Sequence, residues 1–124
     1  MIETCETVAP ATLFHPASAP DYVPAAQLRS LQLARLQAVV RRAYERVELF
    51  RTRMRASGLT PNDIRGLEDI AQLPFTVKTD LRDHYPFGMF ARPLSGIVRL
   101  HASSGTTGKP TVVAYTAGDI ARWA

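Results

Sequence analysis

"HASSGTTGKPTVV", His101 to Val113, decides how this chain is read. It sets two glycines, a run of hydroxyl side chains and one lysine between two short runs rich in β-formers, Ile97–Ala102 and Thr111–Tyr115. That order predicts strand, loop, strand. Backbone N–H groups freed by glycine, together with the hydroxyls of Ser103, Ser104, Thr106 and Thr107, are donors that phosphate oxygens accept, and Lys109 adds a positive charge. A Walker loop does not fit. It needs four residues between its glycines, then Lys followed by Ser or Thr at the start of a helix. Here only Thr106 and Thr107 separate Gly105 from Gly108, and Pro110 follows Lys109. A ligand-free hairpin turn draws on the same residue types, so the loop by itself leaves both readings open.

Working outward, Thr116 and Asp119 have the spacing of a capping box opening "TAGDIARWA", and the sequence stops inside that helix. Upstream, "HYPFGMFARP" carries Pro86, Gly88 and Pro93 and predicts an irregular connector. Thr79 before Asp80, Leu81 and Arg82 predicts a helix start. In "LTPNDIRGLEDIAQLPF", Thr60 with Asp63 resembles a capping box, Pro61 suits a first helical position and Gly66 ends the turn.

From Ala25 to about Ser57, Leu33, Leu36, Val40, Ala43, Val47, Phe50 and Met54 recur at spacings of three and four, which predicts one or two helices with an apolar stripe and Gly58 as the stop. Packing against a core is the expected use of that stripe. Helix-mediated homodimerisation is the alternative, although the flanking positions lack the alternating charges of a coiled coil. Residues 29–55 hold eight arginines against two glutamates, a net charge of +6. No stacking aromatics or DNA-binding motif accompany them, so a solvated or docking face is expected and no nucleic acid. Before this segment, Pro10, Pro16, Pro20 and Pro24 predict an extended arm over residues 1–24.

Composition narrows the class. A hydrophobic content of 46% with 21% charged residues is that of a globular domain, and no apolar run reaches membrane-spanning length. The first basic residue is Arg29, so the basic start of a secretory signal is missing, and Cys5 as the sole cysteine excludes an intramolecular disulfide. A cytoplasmic protein is expected. His15 and His84 lack metal-ligand spacing with any Cys, His or acidic residue, and no metal site is expected from these residues.

Two stretches together, "LPFTVKTDLRDHYPFGMFA" (Leu73–Ala91) and "SSGTTGKPTVVAYTAGDIARW" (Ser103–Trp123), resemble phenylacetate-CoA ligases, a family of the AMP-forming adenylating enzymes. The likeness covers about Tyr44 to Ala124. It implies an incomplete α/β fold: an N-terminal helical segment over 25–96, then from 97 to 124 the first strands and phosphate-loop hairpin of the adenylation core, with the loop at 103–110. It implies that Ser103, Ser104, Gly105, Thr106, Thr107, Gly108 and Lys109 contact ATP phosphates with Mg2+ assisting, and that CoA and an aryl acid are co-substrates. His101 is a candidate substrate-proximal residue, whereas Lys78 and Tyr85 fit a scaffold role. The family enzyme is several times longer and carries its essential lysine in a C-terminal domain. The expectation is therefore the N-terminal part of an aryl-acid CoA ligase, inactive alone, with a noncatalytic dimerisation or docking module as the alternative.

Overall fold

The computed structural model describes residues 22–103, 108 and 110–123. Cys5, His15 and all the arm's prolines except Pro24 lie outside them. Helix α1 (Ala25–Arg46) begins where the Leu28 N–H donates to the Pro24 carbonyl at 3.0 Å. A proline precedes the helix without breaking it, because its missing N–H would have no partner there. The predicted stripe resolves into two helices, α1 and α2 (Glu48–Ala56), interrupted at Val47. Val47 is extended, at φ −110° and ψ 107°, yet its N–H donates to Ala43 O at 2.8 Å and its carbonyl accepts from Arg51 N–H at 3.1 Å. The chain thus turns at one residue while the polar backbone groups there remain paired, as burial requires.

Helix α2 ends in a Schellman motif. The Leu59 N–H donates to Met54 O at 2.9 Å and the Gly58 N–H to Arg55 O at 3.0 Å, with Gly58 at φ +70°. Leu59 then folds onto the core. That core is small: Val40 of α1, Met54 of α2 and Ile64 are buried, with Leu36, Tyr44, Phe50, Leu59 and Leu73 packed around them. The Gln37 amide donates to Ile64 O at 2.9 Å, fixing α1 to the turn that carries Ile64.

Acidic side chains close the successive turns. The Asp63 carboxylate accepts the Thr60 N–H and hydroxyl at 2.8 and 2.7 Å, and the Asp69 carboxylate accepts the Arg65 and Gly66 N–H groups at 2.8 Å each. Helix α3 (Lys78–Asp83) starts at Val77, whose N–H donates to Asp80 Oδ2 at 2.9 Å. The Thr79 start is thereby corrected. A carboxylate three residues on takes the free N–H at Val77, and Thr79 already lies inside the helix.

Strands β1 (Arg99–Ser103) and β2 (Thr111–Tyr115) pair antiparallel, from Arg99 opposite Tyr115 to Ser103 opposite Thr111. The α/β expectation is met as helices followed by this small antiparallel sheet. β1 begins two residues later than expected, because Leu94–Gly96 forms a 3₁₀ turn whose Leu94 carbonyl accepts the Ile97 N–H at 3.0 Å. Helix α4 (Ala117–Trp123) follows β2 with the predicted capping box complete. Asp119 accepts the Thr116 N–H and hydroxyl at 2.9 and 2.7 Å, and the Asp119 N–H donates back to Thr116 Oγ1 at 3.2 Å. No described helix is long and apolar enough to cross a membrane.

Candidate phosphate-binding site

The hairpin register sets the ends of the candidate loop. Ser103, expected as its first residue, instead closes β1 opposite Thr111, because the reach of a strand is set by the residues available opposite it. Gly108 has φ +111°, a backbone region closed to side chains with a Cβ, so glycine is required there. Ser104, Gly105, Thr106, Thr107 and Lys109 lie outside the described residues.

His101 is exposed in mid-strand, with its ring 5.1 Å from Tyr115 and 6.3 Å from Trp123. Tyr115 and Trp123 stack at 5.4 Å. These separations are those of attractive ring pairs, and His101 meets Tyr115 as the diagonal neighbour across the ladder. The aromatic group ties β1, β2 and α4 together beside the loop strands. The register brings His101 to Tyr115, and α4 folds Trp123 back beside both.

Behind the hairpin, α3 is anchored by a bidentate ion pair. The Arg53 guanidinium donates to both Asp80 oxygens at 2.6 and 2.8 Å and to Phe75 O at 2.7 Å. Asp80 is only 7% exposed. Hydrogen bonds from Arg53 and from the Val77 N–H pull its pKa down to about 2. Arg51 donates to the carbonyls of Tyr44 and Glu45 at the end of α1, and Arg55 donates to the Tyr44 hydroxyl at 3.1 Å. Three arginines expected on a solvated face therefore hold the helices in place. His84 contacts Asp80 O through Nδ1 at 2.9 Å, and Lys78 opens α3. Among the described residues no group of three or more His, Cys, Asp or Glu could hold a metal ion.

The chain aligns with phenylacetate-coenzyme A ligase of Aromatoleum evansii at 58% identity over 98 residues, 79% of this chain and 22% of that protein. The chain is similar to phenylacetate-coenzyme A ligases. The enzyme of Thermus thermophilus is 54% identical over 100 residues, and that of Escherichia coli 52% over 98, again with 22% of each covered. The chain thus spans about a fifth of the length of the curated relatives it matches. No protein-family model matches. Among solved structures, 2-hydroxyisobutyryl-CoA ligase in complex with 2-HIB-AMP and CoA in the thioesterification state superimposes with a TM-score of 0.69 at 37% identity, covering 78% of this chain and 22% of that one. An open conformation of the same ligase gives a TM-score of 0.66 at 34% identity.

Proposed function

We propose that these residues form the N-terminal part of an aryl-acid CoA ligase and do not turn over substrate alone. The 52–58% identity to phenylacetate-coenzyme A ligases carries the reading. The hairpin's surface supports it: β1 is exposed along its whole length, with Val98 61%, Leu100 51% and Val113 39% exposed. A two-stranded sheet with apolar side chains in water is marginal by itself and gains stability from further strands or a covering layer.

In the complete enzyme a carboxylate oxygen of phenylacetate attacks the α-phosphorus of ATP. The bond from that phosphorus to the bridging oxygen breaks and pyrophosphate leaves. The CoA thiol then attacks the acyl carbon of phenylacetyl-AMP, AMP departs, and the thiol proton passes to a base or to water. Ser103, Ser104, Gly105, Thr106, Thr107, Gly108 and Lys109 hold the β- and γ-phosphates in this reading. They keep the leaving pyrophosphate in line and neutralise its growing charge, so they position and stabilise rather than exchange protons. His101 and the rings beside it border this region. Mg2+ accompanies ATP in such chemistry and would be held largely by the phosphate oxygens, since no group of three or more His, Cys, Asp or Glu among the described residues could hold a metal ion. In this reading the enzyme works in the cytoplasm.

The test is phenylacetate-dependent exchange of labelled pyrophosphate into ATP, run on the gene's product from its native cell and on the 124-residue chain. A native product several times heavier than 13.7 kDa that exchanges label, beside an inactive short chain, is the expected outcome. Exchange by the short chain, or a native product of 13.7 kDa that is a defined dimer, overturns it in favour of an independent or noncatalytic module.

A further inference from the structure

Three arginines from separate parts of the chain meet at one open cleft. Arg42 comes from α1, Arg92 from the connector and Arg122 from α4, and together with Gly96, Gly118 and Asp119 they border a volume of about 490 Å³. A second hollow, bordered by Arg41, Glu45 and Arg46, joins it at Arg42 and Arg92. Five arginines and two carboxylates thus line the two hollows. One of these carboxylates, Asp119, already accepts the Thr116 N–H and hydroxyl and lies 3.9 Å from Arg122. Arg42 stands near enough to Asp119 to help hold its carboxyl below the usual range, and Arg92 has no ion-pair partner among the described residues. The cleft floor is open backbone: a Cβ built on Gly96 would meet nothing within 4 Å, and one on Gly118 would meet only Thr116 Oγ1 at 3.8 Å.

We propose that this cleft binds a phosphate-bearing polyanion, of the size of a di- or triphosphate. Guanidinium groups converging from three directions match an anion with oxygens on every side, since each planar fork takes two oxygens. A single carboxylate would satisfy one fork and leave the others repelling each other. The cleft lies at the opposite end of the hairpin from Ser103 and Thr111. Arg99 and Tyr115 mark the cleft end of the hairpin and Ser103 and Thr111 the loop end, about 13 Å away along four strand steps. The inference therefore does not rest on the ligase reading.

Sodium tripolyphosphate titrated into the full 124-residue chain by calorimetry provides the test, with Arg42→Ala, Arg92→Ala, Arg122→Ala and Lys109→Ala variants each checked for unchanged helicity by circular dichroism. Arg92→Gln and Arg122→Gln serve as milder changes at the two exposed positions. Each arginine substitution is expected to weaken binding about tenfold. In a Lys109→Ala background, which removes the loop's own phosphate contact, binding that depends on the three arginines should remain, and added salt should weaken it. Equal affinity for ATP and tripolyphosphate would place recognition in the phosphates, as proposed. Absence of heat, loss of binding only in Lys109→Ala, or glutarate binding as tightly as tripolyphosphate would overturn the proposal.

Discussion

Met54 is the side chain on which the described fold depends most directly. It is 0% exposed and joins Val40 of α1 to Ile64 of the following turn. Replacing it with alanine removes three heavy atoms from a core of three fully buried side chains, where few neighbours are available to close the gap. Burying a methionine is favourable by roughly 1.5–3 kcal/mol, and the cavity adds to the loss, so Met54→Ala should cost about 3 kcal/mol. For a chain of this length that corresponds to a fall of about 12 °C in Tm. The assay is thermal unfolding followed by helical circular dichroism, with Val39→Ala as control. Val39 sits beside Val40 but is 57% exposed, and its truncation should change stability by less than about 0.5 kcal/mol. Met54→Leu keeps the volume and should cost under about 1.5 kcal/mol. A Met54→Ala variant melting within about 2 °C of the parent, or a Val39→Ala variant losing as much, would refute the assignment of the core.

Gly58→Ala should destabilise by about 1–2 kcal/mol in urea unfolding, because the left-handed backbone alone opposes the Cβ; nothing lies within 4 Å of it. The Asp80 pKa is depressed to about 2, below the ordinary carboxylate value, so the stability it contributes is complete above about pH 4 and disappears as pH falls through about 2. Asp63, Asp69 and Asp119 are also lowered, chiefly by the N–H and hydroxyl groups they accept, and add to the same acid loss. Melts between pH 5 and pH 2 should show that loss, with a shallower slope in Asp80→Asn. In the longer parent enzyme, Lys109→Ala should cut phenylacetate-dependent pyrophosphate exchange at least tenfold with Tm nearly unchanged, since removing one charge-assisted contact to the reacting phosphates costs about 1.5–3 kcal/mol. Parallel losses of exchange and Tm would assign the lysine to folding.

Features set by residues within a few positions of each other can be read from the amino-acid order alone. The Thr116–Asp119 box, the stop at Gly58, the acid three residues after Thr60 and both strand runs depend on local hydrogen bonding and backbone freedom, which neighbouring side chains determine. The family likeness also lies in the residues around the loop. What the order of residues could not reveal depends on partners distant along the chain. Val47 breaks the helix although it continues the apolar stripe, because packing α2 back on α1 buries Met54 against Val40. Arg53 finds Asp80 27 residues away, and nothing near either side chain announces the pair. Ser103 belongs to β1 only because Thr111 stands opposite it, and Arg42, Arg92 and Arg122 share a cleft only once three elements have converged. Short-range hydrogen bonds and backbone preferences are properties of neighbouring residues, whereas burial, ion pairing and strand register belong to the packed chain.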